Sequence, residues 1–441
     1  MQSAGPYTPR LIRRPASGQF AARIGILFLV LCAIPALVPL PLDGMTAGHL
    51  AMLLGLPVWF AAALNRGHIV LDPFGRLVAS IVITCCVVLI FLAVISALNT
   101  PVPHRSARSV MGLAAGPAMI MLMIGTVTRD RVYQYLSVAC FAIAATGVLS
   151  IIATAQPALH ALIFQGSDRA SAFFKNPNQL GIVLSTILPV TLAMALGAER
   201  RRALWFAAFG IMLVALMLSG SKANMLISSL TLFSILLFLV HVRYSGIQRV
   251  AMMILTIFGS LLAGALLVSV LAALNPRALR LLEQFVVAGE ATHSVVGRGE
   301  TWRQSLELFR ENPILGVGAG QPIRGLQHSH NLVIEYARTL GVPGVTFMMV
   351  LILIVLLACA ALIWRALRAR AHPVGDRFLC LGLGMGPVAY LAANMSSDSL
   401  GPTTSPYFFF ILALGLISRR LLEPPTRMWP ESPGRHAARG H

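Results

Sequence analysis

The 441-residue chain is 57% hydrophobic and only 11% charged, with a mean hydropathy of +0.79. Soluble domains carry about 25% charged residues, so the composition excludes an ordinary soluble domain. The net charge of +19 does not point to nucleic acid, because the basic residues are nearly all Arg and lie in short clusters between apolar runs, as the positive-inside bias produces.

In chain order, residues 1–23 form a tail containing Pro and Arg, read as cytoplasmic. Apolar runs follow near 24–41, 48–64, 77–98, 109–127, 132–155, 180–198, 203–218, 223–240 and 250–273. Three more lie near 343–364, 378–397 and 406–418, before a tail at 419–441. Each approaches the length needed to cross a bilayer core of about 30 Å, so the expectation is an all-α polytopic membrane protein of about 12 helices. The division is helices 1–9 over 24–274, a large loop over 275–330 and helices 10–12 over 331–418. The first run lacks an A-x-A cleavage site and more spans follow, which reads as an uncleaved first helix. Cys32, Cys85, Cys86, Cys140, Cys359 and Cys380 fall in or beside apolar runs, with no metal-ligand spacing.

Orientation follows from the arginines. With the N-terminus inside, the inner segments hold Arg10, Arg13, Arg14, Arg23, Arg66, Arg76, Arg129, Arg131, Arg200, Arg201, Arg202, Arg243, Arg249, Arg365, Arg368, Arg370 and Arg377, with five more in the C-terminal tail. That is most of the 34 basic residues, so both termini are expected to be cytoplasmic. The loop at 275–331, the connection at 156–179 and the turn at 219–222 then share the outer, periplasmic face with both lysines, Lys175 and Lys222.

The outer loop holds two helix-like parts. Residues 276–287 begin at Asn275-Pro276, a cap and first-turn proline, and carry Arg277 and Arg280. Residues 299–311 put Trp302, Leu306 and Phe309 on one face, with Arg303, Glu307 and Arg310 elsewhere. Arg298 lies between Gly297 and Gly299, at the expected start of that second helix. Backbone there can approach a ligand closely, helix N-terminal amides favour an anion, and a guanidinium fork suits phosphate. The bland alternative is a solvated arginine.

His330 follows the loop and opens the next helical segment. A lone histidine is usually structural, but this one sits at the mouth of a bundle, on the face that carries the outer basic residues. Neutral imidazole can accept a hydroxyl proton near neutral pH. His328 stands two residues away, and Asn331 can either cap the segment or orient a ligand. Gly341 and Gly344 around Pro343 should kink the helix as it enters the membrane. Asn176-Pro177-Asn178 is a helix-start signal, and Lys222 can snorkel at the membrane edge. The outer acids Asp43, Asp168, Glu283, Glu290, Glu300, Glu307, Glu311, Glu335 and Asp398 form no D-x-D pair, and the chain has no P-loop, G-x-S-x-G or zinc motif.

Four local motifs carry a resemblance. They are Phe174-Lys175-Asn176-Pro177-Asn178, Ser219-Gly220-Ser221-Lys222, the run from Arg298 and Trp302 through Asn312-Pro313 to Gly316-Val317-Gly318, and His330-Asn331. With the hydropathy pattern they resemble the O-antigen ligase and polymerase superfamily, by motif over about 165–345. His330-Asn331, nine residues, then Gly341-Val342-Pro343-Gly344 is similar to the pattern of O-antigen ligases and protein O-oligosaccharyltransferases, and less so to that of the polymerases. Lys222 departs from the arginine often found there, keeping the charge without the fork.

The resemblance implies a GT-C-like glycosyltransferase of the bacterial inner membrane, with no cofactor and no metal. Its donor would be O antigen on undecaprenyl pyrophosphate and its acceptor the lipid A–core oligosaccharide, among membrane lipids and with no nucleic-acid partner. His330 would be the general base, and Arg298, with Lys222, Arg169 and Lys175, would bind the pyrophosphate. Arg277, Arg280, Arg303, His328 and Asn331 complete the expected substrate-binding set. The rival readings are an O-antigen polymerase, a protein O-oligosaccharyltransferase, and a transporter of lipid-linked oligosaccharide. The transporter would need polar residues along the bundle interior, and these spans carry almost no charges.

Overall fold

The computed structural model describes residues 71–98, 103–164, 169–174, 176–274, 293–323, 328–396, 400–401 and 403–423. The expected spans at 24–41 and 48–64, the helix at 276–287 and most of both tails lie outside these residues, as do Lys175, Arg277 and Arg280. In chain order the α-helices are α1 (Pro73–Leu98), α2 (Pro103–Thr126), α3 (Val132–Ile152), α4 (Pro157–Phe164), α5 (Pro177–Gly197) and α6 (Arg202–Leu218). Then come α7 (Lys222–Arg243), α8 (Gly246–Leu274), α9 (His293–Glu311), α10 (Leu332–Arg368), α11 (Val374–Asn394) and α12 (Ser405–Ser418). The described residues contain no strand, and seven of these helices are long and apolar enough to cross a membrane.

The protein is therefore an all-helical, multi-pass membrane protein. Every run expected from 77–98 onward coincides with a described helix, while the short α4 was not foreseen. The chain end expected as a tail from residue 419 begins instead with a 3-10 turn, Arg419–Leu422, in which Arg419, Leu421 and Leu422 are buried.

Helices α5 and α12 form the buried centre, whereas α8 exposes Leu255, Phe258, Leu261, Leu262 and Leu266, an apolar surface suited to lipid. The centre is held by close backbone approach rather than by shape alone. A Cβ on Gly382 of α11 would stand 2.7 Å from that of Ala193, and one on Gly386 would stand 2.8 Å from the Thr186 carbonyl of α5. Small residues that let helices approach this closely are how bundles associate where lipid removes the hydrophobic drive.

The two ends of the bundle differ in chemistry. At one end Asp72 sits between Arg365 (3.7 Å) and Arg419 (3.4 Å), and the Tyr133 hydroxyl donates to Asp376 at 2.9 Å. The other end gathers the start of α5, the α6–α7 turn, α9, the start of α10 and the α11–α12 connection. The candidate site lies there.

Candidate active site

The site is assembled from short turns whose glycines and asparagines each have a local task. Helix α5 starts at Asn176, whose side chain accepts from the Gln179 amide at 2.9 Å, with Pro177 in the first turn. Two residues on, Asn178 accepts from Arg169 Nη2 at 2.8 Å. Arg169 Nε donates to the Ser219 carbonyl, also at 2.8 Å. Gly220 reverses the chain between α6 and α7 at φ +57°, a left-handed conformation glycine adopts without steric cost, and a Cβ there would stand 3.2 Å from Arg169 Nε. Asn224 ties the assembly together by donating to Ser221 Oγ at 2.8 Å and to the Asn178 carbonyl at 3.4 Å. Lys222, half-buried, is the first residue of α7 beside this turn.

Arg169 has a second cation for a neighbour. Burial lowers its pKa, and the charge of Arg298 lowers it further, so the two guanidinium groups, from distant parts of the chain, lie close enough to feel each other's charge. Arg298 is half-buried on α9. The structure corrects its expected setting: α9 runs unbroken from His293 through Gly297-Arg298-Gly299, so Arg298 lies in the second turn and not at the helix start. No helix-end amides are available to it, so the anion contact expected there is left to the guanidinium alone. The helix persists because its inner face is anchored. Thr301 and Ser305 are buried, and Ser305 Oγ lies 3.0 Å from Ser329 Oγ. Arg298, Thr301 and Ser305 recur at helical spacing on this face. Arg303 lies away from it, exposed and bracketed by Glu300 at 2.7 Å and Glu307 at 2.5 Å on its own helix.

Between α9 and α10, residues 312–318 fill a break in α10. Gly341 there has φ +67° and ψ −159°, and Pro343 follows, so the helix is kinked as its sequence suggests. A kink frees backbone groups that a membrane cannot hydrate. The Val317 amide donates to the Arg338 carbonyl at 2.9 Å and the Gly318 amide to the Thr339 carbonyl at 3.1 Å. In return the Val342 amide donates to the Pro313 carbonyl at 2.7 Å. Gly316, at φ +68°, permits this contact: a Cβ would collide with the Thr339–Leu340 backbone. Ser96 extends the joint by accepting from the Ala319 amide at 2.9 Å.

The break sets the direction of the turn that carries the histidines. Asn331 is the N-cap of α10, its side chain accepting from the Val333 and Ile334 amides at 3.0 and 3.1 Å while donating to the Met395 carbonyl at 3.0 Å. Of its two expected uses, capping is realised. His330 immediately before it has φ +53°, costing a side-chain-bearing residue about 1–3 kcal/mol, a strain that collects at functional sites.

Beneath His330 lies a pair that sequence reasoning missed. Arg338, with a fully buried side chain, donates from Nη2 to Glu335 Oε1 at 2.8 Å and from Nη1 to the Gln321 carbonyl at 2.8 Å. Glu335 Oε2 accepts from both the Ser329 amide (2.8 Å) and the Ser329 hydroxyl (2.7 Å), and His328 Nδ1 stands 3.6 Å from Oε1. The available signal was Glu-x-x-Arg one turn into an apolar helix, since ionisable residues in a span are expensive and usually functional.

Of the expected site residues, Arg169 and Arg298 are thus neighbours, and Lys222 lies by the turn that holds Arg169. His328, His330 and Asn331 share one turn joined to α9 through Ser305 and Ser329. Among the described residues no three His, Cys, Asp or Glu side chains gather as a metal site. The arrangement puts two coupled cations and a strained histidine at the same end of the bundle. Residues 207–349 match the family model described as O-antigen ligase, a stretch running from α6 into α10 that takes in Lys222, Arg298, the histidine turn and the Glu335–Arg338 pair but not Arg169, Asn178, Ser96 or Met395. A search of curated proteins finds no match.

Proposed function

With the match over residues 207–349 supporting the O-antigen ligase family, we propose that the chain moves an O-antigen polysaccharide from undecaprenyl pyrophosphate to the lipid A–core oligosaccharide. The observation that carries this reading is the approach of Arg298 to the partly buried Arg169. Like charges that feel each other across this end of the bundle repel, and an anion with several charges, such as a pyrophosphate, would relieve the repulsion and could be held by both forks.

In this mechanism His330 accepts the proton of a core-sugar hydroxyl as its oxygen attacks the anomeric carbon of the donor sugar. The bond from that carbon to the pyrophosphate breaks, and the leaving group departs as undecaprenyl pyrophosphate. Arg169 and Arg298, with Lys222 beside them, stabilise the charge that grows on it, and no divalent metal is used. The site faces the periplasm of a bacterial inner membrane with both termini cytoplasmic, a reading supported by the clustering of Arg in the inner segments.

The test in cells is His330→Ala. Removing a general base costs about 10²–10⁴-fold in rate. Lipid A–core should stay uncapped while lipid-linked O antigen of ordinary chain lengths accumulates. Lipid A–core capped by a single O unit would indicate a polymerase instead, and normal capping would make His330 structural.

A further inference from the structure

We infer that Glu335, braced by Arg338, is the positioning residue of this site, holding the turn that presents His330. The inference rests on the reading of His330 as the base.

A fully buried ion pair is a poor way to stabilise a bundle. Desolvating both charges costs about as much as the attraction returns, and well-packed apolar residues often do better. The Glu335–Arg338 pair therefore calls for another explanation, and its partners supply one. One carboxylate oxygen of Glu335 takes the Arg338 guanidinium; the other takes both the amide and the hydroxyl of Ser329, the residue before His330. The residue after His330 is fixed just as firmly, since Asn331 caps α10 and binds the Met395 carbonyl. The histidine is thus clamped on both sides in a left-handed conformation that a free turn would relax.

Arg338 is braced in turn by the Gln321 carbonyl, and its own carbonyl accepts from the Val317 amide. Ser329 also meets Ser305 of α9, the helix that carries Arg298. Through Ser329 and Arg338, Glu335 consequently links the histidine turn to the kink joint and to the arginine-bearing helix. It touches no reacting atom; its part is to hold the imidazole where the acceptor hydroxyl will be, and misplacement by about 1 Å costs on the order of 10²-fold.

The test is a double-mutant cycle on purified protein with lipid-linked O antigen and lipid A–core. Glu335→Gln keeps the size but weakens acceptance from Ser329 and loses the charge facing Arg338. It should lower kcat on the order of 10²-fold with an unchanged KM for the lipid donor. In a His330→Ala background the same change should have little further effect, because there is no base left to position. Ser329→Ala leaves the ion pair intact and keeps the test open if Glu335→Gln misfolds; it should lower kcat by about tenfold with unaltered melting. Full and independent loss from Glu335→Gln in the His330→Ala background, or wild-type kcat in both single variants, would overturn the inference. Wild-type activity of His330→Ala alone would instead overturn the catalytic reading on which it rests.

Discussion

Gly316→Ala probes the joint between residues 312–318 and the break in α10, and its cost can be worked from the structure. A side chain in the left-handed region costs about 1–2 kcal/mol. The new Cβ meets the Thr339–Leu340 backbone, which cannot swing aside as a flexible side chain would, and such overpacking costs about 1–3 kcal/mol. Parting the segments strains the bonds from the Val317 and Gly318 amides, each worth about 0.5–1.5 kcal/mol. The smallest total is about 3 kcal/mol, a fall in melting temperature of about 3 °C for a chain of 441 residues. The buried thiols of Cys85, Cys86, Cys140, Cys359 and Cys380 supply the assay, since a thiol-reactive fluorophore reports their exposure as detergent-solubilised protein is heated. Gly297→Ala is the control: a Cβ there meets nothing within 4 Å, and an exposed helical Gly→Ala should gain up to about 1 kcal/mol. Unchanged melting of Gly316→Ala would refute the proposed docking of this segment into the kink.

Other outcomes follow from the same geometry. Arg298→Ala should lower ligation by about 10²–10³-fold, as loss of a charge-assisted donor does, and Arg298→Lys should recover only part because the fork is gone; product yields from equally expressed variants check this. Ligation by purified protein should survive EDTA, whereas loss on chelation with recovery on adding Mg²⁺ or Mn²⁺ would reject the role given to the arginines. In a cysteine-free background, an impermeant maleimide applied to intact spheroplasts should label Ser294→Cys and not Ser432→Cys; the reverse would invert the orientation.

The helices were legible in the sequence because the bilayer imposes length and composition together, and the kink because Gly341 and Pro343 are local instructions. Asn176 and Asn331 were readable as caps for the same reason. Arg298 was misread as a helix-start residue, since two glycines look like a break when the buried Thr301–Ser305 face that holds α9 together cannot be seen. The Glu335–Arg338 pair escaped because its meaning lies in partners at Ser329 and Gln321, outside its own helix. Nor can spacing alone bring Arg169 to Arg298, as that approach depends on how α5, α6 and α9 pack.

The most direct test of the central claim is reconstitution of the purified chain with lipid-linked O antigen and lipid A–core. Transfer of whole polysaccharide chains onto lipid A–core by the wild type, and its collapse in His330→Ala and Arg298→Ala, is the predicted result. Lengthening of the lipid-linked glycan with no product on lipid A–core would contradict it.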